Sequence, residues 1–391
     1  MQILQNTEIA FKIKTDSELR KAEIMFRMMS SPLAVNIMGM LAKLALGLRI
    51  PLRWIVKPTV FSLFCGGESL DEAKKVVEKL SEHNVLSVTD FAAENRRSED
   101  EINQVITEIV AATDYAGTSE AVPFSVFKPT ALAPPGVLEE TCTFTGRQAT
   151  DLLAAGKFRE NIRILCEAAH KRSVPVMIDA EECQYQQLID DICEEMMEIY
   201  NKEKAVVFNT LQMYRHDRHG FLKEAVARAR KKRYFAGYKL VRGAYMDQER
   251  ERAKKLGYPS PIHPDKESTD KAFDDAVTTC LENLDMTSLF VGTHNEESLL
   301  RLMEQMKDMG IPKDDPRICV SQLYGMSDHI SFNMAAHQYN VAKYLPYGPI
   351  KYLIPYLIRR AEENRSVTGQ SGRELHYIRI ERKRRKKISK T

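Results

Sequence analysis

The stretch Gly237-Tyr238-Lys239-Leu240-Val241-Arg242-Gly243-Ala244-Tyr245 decides how this chain is read. Its first half has the make-up of a buried strand, with Leu240 and Val241 at the centre. Its second half ends in a cation, two small residues and an aromatic, and residues 247–253 continue as a charged, helix-forming run. Apolar strand, polar strand end and helix make one βα unit. Gly243 and Ala244 carry almost no side chain, so a flat ligand can rest directly on the backbone there. A strand that merely stops at a surface loop would look the same.

Outward from this unit the sequence repeats it. Apolar runs at 85–90, 123–129, 174–179, 205–209, 238–241, 289–293, 318–322 and 341–345 predict eight strands. Helical patterns at 99–114, 145–172, 186–203, 221–234, 268–284, 296–309, 327–338 and 351–364 alternate with them. That count and size predict an α/β fold, a distorted (β/α)8 barrel of the TIM type. An open doubly wound sheet would call for a Gly-rich first turn, and no GxGxxG occurs. Three parts follow: a helical N-terminal extension at 1–84, the barrel at 85–366 and a basic tail at 367–391. In the extension, Ser69 with Glu72 three residues on reads as a helix start. The apolar stretch 32–48 is broken by Lys43, too interrupted to span a membrane, and is expected to pack or to touch a membrane shallowly.

The strand ends carry Asp90, Lys128, Asp179 with Glu181, Asn209 with Gln212, Arg242 with Tyr245, His294 with Asn295, Gln322, and Tyr344 with Tyr347. In a barrel these converge on the C-terminal face, where active sites lie. Prolines at 129, 134 and 135 stiffen the loop after Lys128, and the segment 257–264 interrupts the fifth crossover in the manner of a lid. On the last helix Tyr356, Arg359, Arg360 and Glu363 share one face, either a solvated ion-pair stripe or a clamp for a small carboxylate.

Composition bounds the rest. With 43% apolar and 28% charged residues in 391, the chain reads as globular, and a net charge of +3 does not argue for nucleic acid. Seven scattered cysteines without a CxxC predict reduced thiols in a cytoplasm-like compartment. No apolar signal core precedes Glu8, Asp16 and Glu18, so no leader is expected. The run from Arg379 to Lys387 is read as a solvated or disordered tail, or as attraction to an anionic inner-membrane surface.

The strings KLVRGAYMDQERERA (239–253), VGTHN (291–295), QLYGM (322–326), KYLPYG (343–348) and YLIRRAEEN (356–364), with KPTAL (128–132) and IDAEE (178–182), resemble the proline dehydrogenase family. The resemblance runs in family order from about residue 120 to 364 and implies a barrel holding noncovalent FAD. It implies oxidation of L-proline to Δ1-pyrroline-5-carboxylate, electrons passing to a membrane quinone, and a separate dehydrogenase taking the product. It puts the proline carboxylate between Lys128, Arg359 and Arg360, the ring among Tyr245, Leu323, Tyr344 and Tyr356, and Asp179 in the hydrogen-bond network near Lys128. For the flavin it offers Asn209, Lys239, Val241, Gly243, Ala244, Lys266, Thr293, His294, Gln322 and Glu363. Lys239 stands where the family often has arginine, Asn209 where it has glutamine, and Met246 where an aromatic is frequent.

Rival readings are a hydroxyproline dehydrogenase on the same scaffold, which the bulk of Tyr344 opposes, and a Schiff-base aldolase using Lys128 or Lys239. A metal-dependent hydrolase has only His216, Asp217 and His219 to offer, and no metal site is expected.

Overall fold

The computed structural model describes residues 2–29, 57–94, 96–138, 153–366 and 370–389. Eight strands follow one another in chain order round a closed barrel: β1 (Leu86–Phe91), β2 (Phe124–Phe127), β3 (Val176–Ile178), β4 (Val207–Gln212), β5 (Ala236–Val241), β6 (Thr287–Gly292), β7 (Ile318–Leu323) and β8 (Val341–Tyr347). Parallel pairing sets Val88 beside Phe124, Phe208 beside Gly237, and Phe290 beside Cys319. Four helices outside the barrel's alternation or entering it are α1 (Thr7–Ala10), α2 (Asp16–Met29), α3 (Leu70–Ser81) and α4 (Glu99–Ala116). They are followed by α5 (Leu153–Lys171), α6 (Cys183–Tyr200), α7 (Arg218–Lys232), α8 (Met246–Leu256) and α9 (Lys266–Glu282). The last four are α10 (Glu296–Asp308), α11 (Asp328–Ala336), α12 (Ile350–Ser366) and α13 (Gln370–Ile388). All eight expected strands are present, within a few residues of their sequence bounds.

A barrel interior is filled by layers of side chains from alternate strands. Here one layer is aromatic. Phe124, Phe208 and Phe290 come from β2, β4 and β6, and Phe124 meets the other two edge to face at 5.4 and 5.0 Å. That geometry suits the charge distribution of aromatic rings and adds to their burial. The neighbouring strand makes room for it: a Cβ on Gly237 would stand 2.6 Å from the Phe208 ring.

The helices start where short polar residues satisfy exposed backbone N–H groups. Ser98, Asp265 and Asn295 accept from Glu101, Ser268 and Glu297 at the heads of α4, α9 and α10. Ser69 accepts the Glu72 N–H at 3.3 Å as its spacing predicts, but the Glu72 carboxylate reaches back to the N–H of Glu68, one residue earlier than in a standard box.

The chain divides into two compact units, residues 88–321 and residues 1–87 together with 322–391. This differs from the expected division into extension, barrel and tail. In the second unit the expected tail is the helix α13, and its charges explain why it is ordered. Arg379 and Arg382 pair with Glu23, Arg384 with Glu8, and Arg385 with Asp16 at 2.8 Å. Glu374 accepts the Ser327 N–H at 2.6 Å at the head of α11, and the fully buried Glu381 takes both Arg384 and Arg385. Asp328 lies between Lys343 of β8 and Lys14, at 2.8 and 2.6 Å. Burial raises its carboxyl, and the two ammonium groups outweigh that and hold it well below the usual range. The stretch 32–48 lies outside the described residues. Among them, no helix is long and apolar enough to cross a membrane.

Truncating Phe208 to alanine removes a ring from the aromatic layer that no neighbour can refill. Phe208→Ala should lower the unfolding free energy by about 3–5 kcal/mol in chemical denaturation. A loss below about 1 kcal/mol would mean that the layer is not close-packed.

Candidate active site

The rim of the unit 88–321 is organised by four alternating charges. The Lys128 Nζ lies 2.8 Å from Asp90 Oδ2 and 3.6 Å from Asp179 Oδ2, and Lys239 Nζ lies 2.6 Å from Asp179 Oδ1. The four residues stand at or beyond the ends of β1, β2 and β3 and within β5. Asp90 is 1% exposed and Lys239 6%, so these are charges taken out of water. An isolated charge there would be prohibitively costly, and alternation in sign makes the burial tolerable. Burial pushes the Asp90 carboxyl up despite Lys128, whereas the Lys128 ammonium is held charged because Asp90 and Asp179 outweigh its own desolvation.

A second buried carboxylate locks the loop after Lys128. Glu181 accepts the Thr130 N–H at 2.6 Å and the Thr130 hydroxyl at 2.7 Å. Its own N–H is held by Gln186, and its carbonyl accepts from Gln212 Nε2 at 2.7 Å. Gln212 in turn accepts the Ala244 N–H at 3.3 Å. One chain of hydrogen bonds therefore joins the Lys128 loop, the end of β3, the end of β4 and the loop after β5.

The stretch that opened the sequence reading lies where that chain ends. Residues 241–246 are half-buried except Ala244, which is exposed. Gly243 has φ +135°, and a Cβ built on it falls 1.3 Å from the Tyr214 ring. No side chain can replace glycine here, because the Tyr214 ring packs directly against this side of the backbone. Arg242 bonds Asp270 at 2.6 Å, Thr293 at 2.6 Å and Ser298 at 3.0 Å, which fastens the stretch to α9 and to the end of β6. Lys266 pairs with the same Asp270, and His294 follows Thr293 half-buried. The expected lid, 257–264, is tied down by Ile262 bridging to Arg215, with the His263 N–H donating to Tyr214 at 2.8 Å.

The expected residues thus fall into groups. Lys128, Asp179 and Lys239 meet directly, while Val241, Gly243, Ala244 and Tyr245 form the open stretch, and Thr293, His294 and Lys266 stand around Arg242 and Asp270. In the unit that holds β8, Gln322 is buried against the Ser331 hydroxyl at 2.7 Å, and Leu323 is half-buried. Tyr344 and Tyr356 are buried, and the Arg360 guanidinium lies 5.5 Å from the Tyr356 ring centre. Arg359 is half-buried beside it on α12. The side chain of Glu363 lies outside the described residues.

Asn209 is the exception. It is buried in β4 and donates at 2.9 Å to Asp190 of α6, which also takes Gln186 and Arg218, so it serves the helix layer rather than the rim. Strand parity explains this: Phe208, Thr210 and Gln212 share one face, and Asn209 takes the other. Gln212, named only as a strand-end residue, is the rim amide; the period of two would have found it. Asp90 and Thr130 also gain parts that their residue types alone did not reveal. Among the described residues no cluster of metal ligands occurs, and His219 bonds Thr279 at 3.1 Å.

Burial pushes the Glu181 carboxyl up to about 8, although the hydrogen bonds from Thr130 oppose the shift. A carboxyl whose folded pKa is raised binds its proton more tightly in the native state. Its contribution is present below the unfolded value and is lost as pH rises through the folded one. Wild type should therefore lose stability relative to Glu181→Gln between about pH 4.5 and 8, by no more than a few kcal/mol. Denaturation of both proteins across that window tests it; parallel curves would mean that folding does not shift the Glu181 carboxyl.

Residues 73–373 match the family model described as proline dehydrogenase. "Proline dehydrogenase 1, mitochondrial" of Arabidopsis thaliana is 32% identical over 85% of this chain and 75% of its own length. The hydroxyproline dehydrogenase of Xenopus laevis is 30% identical over 96% of this chain and 88% of its own. The Drosophila melanogaster proline dehydrogenase 1 is 39% identical, but the chain spans 35% of its length. Proline utilization A from Bdellovibrio bacteriovorus shares the fold with a TM-score of 0.71 at 20% identity, covering 94% of this chain and 41% of that one. With the family model spanning most of the chain and the relatives aligned across barrel and flanks, the chain belongs to the proline dehydrogenase family.

Proposed function

We propose that this protein oxidises L-proline to Δ1-pyrroline-5-carboxylate with a noncovalently bound FAD. The observation that carries the reading is the juxtaposition, in one unit, of the buried Asp90–Lys128–Asp179–Lys239 chain and the partly open backbone at 241–246. Bound FAD would supply a hydride acceptor for the ring carbon next to nitrogen that does not bear the carboxylate, the N–H proton of the neutral amine leaving to solvent as the C=N bond forms.

The residues present fit such a cofactor. Gly243 has to be glycine because the Tyr214 ring fills the space of a Cβ, and the exposed Ala244 beside it offers small-residue backbone on which a flat ring system could rest. Lys239, Lys266 and His294 are the cationic or polar groups suited to a diphosphate, with Val241, Ala244, Thr293, Gln322 and Glu363 completing the expected set. Gln212 takes the place first given to Asn209. Arg242 holds the stretch in position through Asp270 and Thr293.

The substrate side needs a cationic anchor and an apolar wall. With both acids ionised the four-membered rim chain sums to zero charge, so Lys128 alone gives a carboxylate little net attraction. Arg359 and Arg360 supply the missing positive charge, with geometry that matches a carboxylate two bonds at a time. Tyr245, Leu323, Tyr344 and Tyr356 enclose the ring, and their contribution is orientation rather than proton transfer. No acid needs to touch the ring nitrogen, which must stay neutral to react. A bulky phenol at Tyr344 favours proline over its hydroxylated relative, the second reading that the Xenopus similarity keeps in play. A lipid-soluble quinone as final acceptor, and a separate dehydrogenase consuming the product, complete the proposal.

Purified protein should be yellow and should bleach when proline is added without oxygen, with hydroxyproline much less effective. An unchanged flavin spectrum with proline would reject the reading; stronger bleaching by hydroxyproline would favour the alternative. Arg359→Ala and Arg360→Ala should each raise the proline concentration needed for half-bleaching by about a hundredfold or more, as removing one partner of a desolvated ion pair does. A near-normal response in both would exclude the clamp.

A further inference from the structure

The turn after β7, residues 323–327, is held by parts of the chain that the proposed chemistry does not use. It carries Leu323, and its Tyr324 N–H donates at 2.9 Å to the carbonyl of Tyr344 in β8. Two of its residues are left-handed, Gly325 at φ +80° and Ser327 at φ +49°. Glycine takes that region freely, and at 325 nothing else fits, since a Cβ would stand 2.1 Å from the Leu63 carbonyl oxygen. Serine takes it at a cost, and such a residue persists only where its surroundings over-determine it.

Those surroundings are buried polar side chains from other elements. Ser327 precedes α11, but its side chain makes no cap bond to that helix. An extended backbone at this residue would let the hydroxyl do so, as Ser98 does at the head of α4. The duty passes instead to Glu374 of α13, 47 positions on, whose Oε1 accepts the Ser327 N–H at 2.6 Å and the hydroxyl at 3.2 Å. One turn further along α13, Tyr377 stacks on His329 of α11 with ring centres 4.1 Å apart, which fixes the register of the two helices. Lys343 of β8 donates to the Met326 carbonyl at 2.5 Å and pairs with Asp328 at 2.8 Å. Glu374 and Lys343 are 3% and 0% exposed. Neighbours in a strand point to opposite faces, so Lys343 steadies the turn from one side of β8 while Tyr344 takes the other.

A cap that only stabilised α11 would need neither a strained serine nor a carboxylate from a separate helix. What the arrangement sets is the path of the turn, and with it the place of Leu323 next to the strand that carries Tyr344. We propose that Glu374 and Lys343 are positioning residues for the substrate ring: they hold the turn 323–327 in its left-handed form and thereby fix Leu323, one of the ring's walls. What Leu323 faces rests on the proline dehydrogenase reading; the hold on the turn does not.

The test uses the full-length holoenzyme with Glu374→Ala, and with Glu374→Gln as the conservative partner, whose amide oxygen can accept the same two bonds. Amide hydrogen exchange across residues 322–331, read by mass spectrometry, should quicken about tenfold or more in Glu374→Ala and stay within about twofold of wild type in Glu374→Gln. The proline concentration for half-bleaching should rise about tenfold in Glu374→Ala. The concentration of acetate that half-perturbs the flavin spectrum should stay within about twofold, because the arginines of α12 are untouched. Should Glu374→Ala fail to fold, Glu374→Asp, which withdraws the carboxylate by one methylene, carries the same expectations. Unchanged exchange in the shortened variant, an unchanged proline requirement despite faster exchange, an equal rise for acetate and proline, or an equal defect in Glu374→Gln would each overturn the proposal. Faster exchange together with a wild type that proline does not bleach would fault the assigned reaction and leave the hold on the turn standing.

Discussion

The pairing of Lys128 with two carboxylates is the constraint on which the rim depends. An ammonium group with Asp90 at 2.8 Å and Asp179 at 3.6 Å cannot lose either partner without leaving a buried charge unmatched. Removing one side of such a pair costs about 3–5 kcal/mol, more than most surface changes. Lys239 closes the chain by taking the other oxygen of Asp179. The arrangement therefore fixes the ends of β1, β2 and β3 against the middle of β5. Stability is the weaker part of what it supplies, since hydrophobic residues of equal volume would serve as well. What it does is hold the ends of three strands and the middle of a fourth at set distances on one face of the barrel.

Below the rim the barrel is held by ordinary packing. The layer of Phe124, Phe208 and Phe290 fills the centre from alternate strands, and Gly237 yields the space that Phe208 requires. Above it, hydrogen bonds take over from dispersion: Thr130 to Glu181, Glu181 to Gln212, Gln212 to Ala244. The loop that carries Lys128 and the loop that carries Gly243 are thus mechanically connected through Glu181, just beyond β3, and Gln212 of β4. A change at Glu181 acts on both.

Much of this was legible in the chain because it rests on local rules. Eight apolar runs separated by helical patterns predict the barrel, and polar residues at the strand ends mark the face that matters. Ser69, by its spacing from Glu72, announces the start of α3. Asn209, which the resemblance offers for the flavin, donates to Asp190 on the helix side of β4; three positions on, Gln212 lies on the opposite face of the strand and reaches the rim. The expectation of a solvated or disordered tail after Arg379 missed the helix for a different reason. Its partners, Glu8, Asp16 and Glu23, stand more than 350 positions away in the sequence, and no local pattern records an ion pair of that span. Whether a charge run is solvated or docked is decided by acids elsewhere, not by the run itself.

The same bookkeeping of charge separates the tasks of the two cationic groups. Lys128 is fully committed to carboxylates of its own unit, so its field beyond the rim is largely cancelled by Asp90 and Asp179. Burial raises the Asp90 carboxyl, and to the extent that Asp90 takes up a proton, the rim chain moves from neutral toward a net positive charge. An arriving carboxylate gains from that shift, because an anion near Lys128 is then opposed by one acid fewer. On the proposed reading, binding of a carboxylate at Lys128 and protonation of Asp90 would be linked, each favouring the other. On this argument Asp90, though it carries no role by residue type, sets the charge of its own rim chain, while the attraction proposed for Arg359 and Arg360 would not depend on it.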